Sequence, residues 1–498
     1  MARRVWPPLL GIYAALFLSH LPLLRLPYYW DEAGYFIFAG LDFFRHGWLI
    51  PRSTLANGHP PLVAIFLAAA WRVAGFHPLV TRAAMLVWAT GLVWGVYRLA
   101  APRLGERGAA LAALLLAVSP LCFAQATLAQ LDLPAAALVI WGLVWRQRGR
   151  PWLSAGVFAA AVLTKETAVI APMALVLLEL WRAPGQARVR RVLPLLVPAA
   201  VVSLWFVYYH RVTGYWFGNP QFFAYNVGQA AVSPPRIALS LLRRLWQTFG
   251  YNGTWLLSGA AGWSWSRGRR GVKPRAATAP PPDWLAVIAV YIAVHAVIGG
   301  AILARYLLPA LALVFILLAE AVLRLPRAGW WVAGCAGFLV VCWFWNPPYP
   351  FPYEDNLAYV QFVKLHQAAA RALEAHPPAG AVWTAWPATD ELSRPELGYV
   401  TRPLAVRELG NFSAASLRAM PHAPALLYLY SREYEPRLDA AALVPIWQRW
   451  GDRVFHHAPP APAAAWLARW GLRPGFRQAK DGQWILLASP DATAAAAR

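Results

Sequence analysis

Apolar runs, each near the length that crosses a bilayer, alternate with short polar or basic breaks from the N-terminus to about residue 345. A spanning helix needs about 20 apolar residues. On that measure helices are predicted over 7–26, 79–98, 108–124, 131–145, 152–165, 166–182, 192–209, 237–258, 284–303, 306–323 and 329–345. The runs 152–165 and 166–182 form one mostly apolar stretch. As a single tilted helix it would hold Lys165 and Glu166 in mid-bilayer, at high cost, so two helices are predicted. The pattern reads as an all-α polytopic membrane domain over 1–345, of about eleven transmembrane helices.

Beyond 345 the pattern changes. Strand-like pieces (Ala381–Trp386, Leu426–Tyr430, Trp484–Ala488) alternate with amphipathic helical pieces (Leu357–Ala375, Leu443–Trp450). Residues 346–490 therefore read as a small soluble α/β domain, and 491–498 as a disordered tail. Pro347–Pro352 makes a stiff linker into that domain.

Composition supports this reading. The chain is 59% hydrophobic and 13% charged, where a soluble domain carries about 25% charged residues. Its 28 Trp and 19 Tyr suit a protein with many membrane–water interfaces. The formal charge of +23 is spread as short basic clusters between apolar runs, not as one patch, which argues against nucleic acid. Cys122, Cys335 and Cys342 fall inside apolar runs and match neither a disulfide framework nor a zinc spacing. No small-residue cleavage site follows the run Pro7–Leu26, which reads as a retained first helix.

The basic clusters set a topology. They are Arg3/Arg4; Arg98, Arg103 and Arg107; Arg146, Arg148 and Arg150; Arg182, Arg188, Arg190 and Arg191; Arg267, Arg269, Arg270, Lys273 and Arg275; and Arg324 and Arg327. With eleven helices and a cytoplasmic N-terminus, all six clusters fall on one side of the cell (inner) membrane. The segment 60–76, ending near Trp71, Arg72 and His77, then lies along the outer surface as an interfacial helix. The outer side collects the long first loop 27–78, the turns at 125–132, 165–166 and 304–306, the loop 210–236 and the C-terminal domain.

Polar features converge on that face. Asp31 and Glu32 follow the first helix directly, among Tyr28, Tyr29, Trp30 and Tyr35. They either end the helix in water or serve chemistry. Asn57 and His59 precede Pro60-Pro61, which starts the interfacial helix; His59 read alone is an ordinary loop histidine. Asp132 opens a helix, where a carboxylate also suits the dipole. Lys165 and Glu166 are an ion pair or functional groups between apolar runs. Arg305, beside Tyr306, is the one charge in its short turn and either snorkels to the interface or acts. Together these residues give one face carboxylates, a histidine and cations. Carboxylates with histidine can hold a divalent cation or act as general base. Lys and Arg at head-group level suit a phosphate.

At these residues the chain resembles the bacterial GT-C glycosyltransferases, and within them the protein O-mannosyltransferase and aminoarabinose-transferase-like families. The resemblance covers about 1–345. It is carried by the ordered set Trp30-Asp31-Glu32, Asn57-Gly58-His59-Pro60-Pro61-Leu62, Gln130-Leu131-Asp132, Leu163-Thr164-Lys165 and Arg305-Tyr306-Leu307-Leu308-Pro309. It implies a polyprenyl-phosphate-linked sugar donor, transfer of a hexosyl or pentosyl group with inversion, and Asp31 as catalytic base. Glu32 and Asp132 become the further catalytic acids, and Lys165 and Arg305 contacts to the donor phosphate. Asn57, His59 and Tyr306 become substrate-binding residues. The acceptor is a lipid, a glycan or a protein. Metal dependence varies in the superfamily, which leaves a divalent cation open.

Two other classes share the hydropathy. A transporter or flippase of lipid-linked sugars places its ionisable groups near the bilayer midplane, often within internal repeats. Here the polar groups sit at helix ends and no repeat is visible. A non-catalytic scaffold leaves Asp31, Asp132 and Arg305 without a shared explanation.

Overall fold

The computed structural model describes residues 6–182, 185–224, 233–269, 279–298, 301–436 and 460–490. The amphipathic piece 443–450, the tail 491–498 and the basic residues Arg3, Arg4, Arg270, Lys273 and Arg275 lie outside the described residues. The chain is mostly helical with one small sheet, and it divides into two compact units. The first comprises Met1–Leu24 and Phe38–Trp345; the second comprises Arg25–Ile37 and Asn346–Arg498. Composition placed a boundary at 345; the segment Arg25–Ile37 falls on the far side of it.

In the first unit, α1 (Trp6–His20), α2 (Ile37–His46, entering at Phe38), α3 (Leu62–Ala74), α4 (Pro78–Ala117) and α5 (Pro120–Gln125) come first. Then follow α6 (Asp132–Gln147), α7 (Pro151–Thr164), α8 (Ile170–Arg182), α9 (Gly185–Thr213) and α10 (Pro220–Phe223). The unit ends with α11 (Pro234–Phe249), α12 (Thr254–Arg269), α13 (Pro282–Val297), α14 (Leu308–Val322) and α15 (Ala328–Val341). Among the described residues three stretches are long and apolar enough to cross a membrane: Pro78–Ala117, Gly185–Thr213 and Ala304–Val322. Shorter apolar helices occupy Pro7–Leu23, Leu62–Ala74, Pro151–Thr164, Pro282–Val297 and Ala328–Val341. Large apolar side chains face outward, among them Val73 (89% exposed), Trp181 (81%) and Trp330 (80%). Water does not tolerate so many; hydrocarbon does.

Three expected runs are divided or joined differently. The run 237–258 is two helices, because Gly250, Asn252 (φ 47°) and Gly253 (φ 84°) break it between α11 and α12. The runs 79–98 and 108–124 are joined as α4, broken at Gly105 (φ 70°, ψ 171°), and the second stops at Ala117 before Pro120 opens α5. The break between α7 and α8 falls at Lys165, which is extended (φ −150°, ψ 128°). That spares a buried charge the middle of a helix.

The second unit holds a five-stranded sheet in the order β2-β1-β3-β5-β4 among the described residues. Its strands are β1 (Val382–Ala385), β2 (Val406–Leu409), β3 (Leu426–Tyr430), β4 (Arg473–Lys480) and β5 (Gln483–Ser489). β1 pairs in parallel with β2 and β3, through crossovers carrying α17 (Ala388–Ser393) and α18 (Ala414–Ala419); β3, β5 and β4 pair antiparallel. Helix α16 (Ala358–Ala375) packs on β4 and β5, and Tyr359, Phe362, Tyr428 and Tyr430 are buried in the core.

Candidate active site

A set of buried charges in the first unit begins at Asp132, the first residue of α6. Its Oδ1 accepts from Lys165 Nζ at 2.5 Å, and its Oδ2 stands 3.2 Å from Arg305 Nε. Side-chain exposures of 6%, 10% and 5% put this acid and its two cations out of bulk water. At such burial a charge is retained only when it is paired. Local folding presents each group. Asp132 leads a helix N-terminus, Lys165 follows the last turn of α7, and Arg305 sits in the 3₁₀ turn Ala304–Leu307 that leads into α14. Tyr306 lies between the cations: Lys165 Nζ is 4.0 Å and Arg305 Cζ 5.7 Å from its ring centre. The negative ring face favours both positions.

Neighbours fix the set. Arg305 donates to Gln130 Oε1 at 2.9 Å, and buried Gln130 Nε2 has no partner among the described residues. Arg244 of α11 is 1% exposed and donates to the carbonyls of Leu303 and His295, while Gln247 donates to that of Ile302. These bonds tie down the backbone just before Arg305. His295 lies beside the Tyr306 ring, 5.9 Å between centres.

His59 is on the same unit, on a loop pinned along its length. Trp205 Nε1 donates to the Gly58 carbonyl at 2.8 Å; Tyr209 and Asn219 donate to that of Ala56; Asn219 Nδ2 stands 3.1 Å from Asn57 Oδ1. Gly58 has φ +79°, and a Cβ there would meet the Gly218 backbone at 3.0 Å, so glycine is required. His59 Nδ1 is 3.0 Å from Glu166 Oε2, with the Phe222 ring edge-on at 5.2 Å. Lys165 and Glu166 therefore face different partners and are not an ion pair with each other.

Asp31 and Glu32 belong to the second unit. Glu32 is buried and turned back on its own chain, where Oε2 accepts from the Tyr29 amide at 2.8 Å. Asp31 is half-buried at the start of the π-turn Glu32–Phe36. Trp30 reaches φ 45° to make this corner and packs edge-on against Phe362 and Trp386, at 5.6 and 5.2 Å. The Tyr28 amide donates to the Leu397 carbonyl, and Tyr29 OH donates to Glu354 at 3.1 Å. Burial, then the nearby Glu354 carboxylate, holds that phenol protonated well above its usual range.

Among the described residues no three His, Cys, Asp or Glu side chains gather as a metal-holding group. Asp132 is engaged by two cations, Glu166 by His59 and Glu32 by an amide. Those three carboxylates, so engaged, do not fit a divalent cation.

The sequence reading missed Arg244, Gln247 and His295 as site-shaping groups; it gave Gln130 only as part of the Gln130-Leu131-Asp132 motif and Glu166 only as an ion-pair partner or functional group beside Lys165. Arg243 and Arg244 lay inside a run read as spanning, where an arginine is itself a functional signal.

Residues 58–210 match the family described as dolichyl-phosphate-mannose-protein mannosyltransferase. No curated protein matches the chain. The fold is similar to that of ArnT from Cupriavidus metallidurans in the apo state, with TM-score 0.58, 14% identity, and 98% of this chain and 99% of that one covered. It is likewise similar to ArnT from the same organism bound to undecaprenyl phosphate, with TM-score 0.57, 14% identity and 100% of both chains covered. In fold over nearly its whole length, and in sequence over 58–210, the chain resembles the GT-C glycosyltransferases of the protein O-mannosyltransferase and aminoarabinose-transferase-like kind.

Proposed function

We propose that this protein is an integral membrane glycosyltransferase. It moves a hexosyl or pentosyl group from a polyprenyl-phosphate carrier to a lipid, glycan or protein acceptor, with inversion, at the outer face of the cytoplasmic membrane. The observation that carries the reading is two buried cations, Lys165 and Arg305, brought from distant helices onto one carboxylate beside Tyr306. The ArnT-like fold supports it, since that protein is seen with undecaprenyl phosphate.

The acceptor oxygen attacks the anomeric carbon, and the bond from that carbon to the phosphate oxygen breaks. The lipid phosphate leaves with the bonding electrons, and Lys165 and Arg305 stabilise its growing charge. Asp31 takes the acceptor's proton; its role rests on the Trp30-Asp31-Glu32 motif. About eleven crossings, a cytoplasmic N-terminus and an outward domain at 346–490 complete the proposal.

Purified protein in proteoliposomes, given a radiolabelled polyprenyl-phosphate sugar and acceptor extract, tests it. Label passing from the lipid fraction to an acceptor is expected. Label crossing the bilayer still joined to its lipid identifies a flippase and overturns the reading.

A further inference from the structure

We propose that Trp386 is a positioning residue for Asp31: its indole touches both ends of the turn that carries the acid and so fixes the direction of the carboxylate. The inference rests on the function proposed above, in which Asp31 takes the acceptor's proton, and it adds to that reaction a residue from the sheet domain.

The turn is Trp30–Gly34, within the second unit. The Gly34 amide donates to the Trp30 carbonyl at 2.9 Å and closes the turn around Asp31. The Glu32 amide donates to the Tyr29 carbonyl at 2.9 Å, and Glu32 Oε2 accepts from the Tyr29 amide, so the turn is also tied from within. Those bonds leave open its movement as a body. Trp386 opposes that movement at two points. Its ring stands edge-on to Trp30, 5.2 Å between centres. At the other end it lies against Gly34, where an added Cβ would stand 2.6 Å from Cζ2 and 2.8 Å from Nε1. Only glycine admits an indole that close. Trp30 itself holds φ 45°, which a residue with a Cβ keeps only where its surroundings enforce it.

The indole is anchored in its turn. Nε1 donates to Asp390 Oδ2 of α17 at 3.1 Å, and Asp390 Oδ1 stands 3.2 Å from Arg394 Nε. Buried Tyr430 of β3 donates its hydroxyl proton to the Trp386 carbonyl at 2.7 Å. Contacts therefore run from the sheet, through Trp386, to the turn. A carboxylate acting as base must lie within hydrogen-bond reach of the proton it takes. A misplacement of about 1 Å costs on the order of 100-fold in rate.

The test uses the full-length protein with a radiolabelled polyprenyl-phosphate sugar and a titrated acceptor extract, reading kcat per folded molecule and the apparent KM for each. Trp386→Ala is expected to lower kcat on the order of 100-fold, with both KM values nearly constant. Asp390→Ala, at a half-buried helix position away from the strands, lowers kcat less. Asp390→Asn, which still offers an oxygen to Nε1–H, recovers most of that loss. Hydrogen exchange reads the turn without turnover: the Glu32 and Gly34 amides exchange faster in Trp386→Ala and Asp390→Ala, while those of β3 and β5 do not. Three results overturn the assignment: an unchanged kcat in Trp386→Ala, a rise in acceptor KM alone, which makes Trp386 a substrate contact, or equal kcat in Asp390→Ala and Asp390→Asn. If wild type transfers no sugar from any donor, the proposed function fails, and exchange at Glu32 and Gly34 still decides whether Trp386 holds the turn.

Discussion

Lys165 Nζ and Asp132 Oδ1 meet at 2.5 Å across the ends of two helices, 33 residues apart in the chain. Arg305 completes the contact from a third element, so a single acid serves two cations. Removing it leaves both charges buried. Asp132→Asn is expected to cost about 3–5 kcal/mol of stability, read as a fall in the detergent melting temperature. The double variant Asp132→Asn/Lys165→Met should lose less than the sum of its single changes. Strict additivity would mean that the pair is not coupled.

Arg305→Ala removes a charge-assisted contact to the departing phosphate while leaving the acceptor's surroundings alone. Donor KM should rise about tenfold or more, with acceptor KM nearly constant. An unchanged donor KM would take Arg305 out of the phosphate role and leave it holding Gln130.

The adjacent acids should separate by function. Asp31→Asn is expected to abolish transfer in a protein that still folds and inserts. Glu32→Gln keeps an oxygen able to accept from the Tyr29 amide, so it should retain most activity. Equal losses in both variants, measured as kcat with folded protein quantified alongside, would contradict the separate roles.

Gly34 lies against Trp386 within the second unit, and an added Cβ would stand 2.6 Å from its ring. Gly34→Ala therefore overpacks the corner that carries Asp31, at about 1–3 kcal/mol. Thermal unfolding should register the loss; an unshifted transition would show that the indole can move aside.

Much of this was legible in the residue pattern, for identifiable reasons. Lys165 and Glu166 interrupt an apolar stretch, and burying that pair inside a helix is costly enough to force the break seen there. The strands at 382–385, 426–430 and 483–489 are rich in apolar and aromatic residues, which makes them readable. β4 is not, since Arg473–Lys480 is a largely exposed outer strand with little apolar periodicity. The break in 237–258 was hidden because glycines at 250 and 253 are also tolerated within apolar helices; the left-handed Asn252 between them is a tertiary outcome. Nor does any local signal tie Arg25–Ile37 to the sheet domain. Its bonds run from Tyr28 to Leu397 and from Tyr29 to Glu354, over separations that periodicity cannot sense.

The most direct measurement is a structure of the protein with polyprenyl phosphate bound, in a lipid nanodisc. Phosphate density within hydrogen-bond reach of Lys165 Nζ and the Arg305 guanidinium is the predicted result. A phosphate held elsewhere, with Lys165 and Arg305 still closed on Asp132 alone, would contradict it.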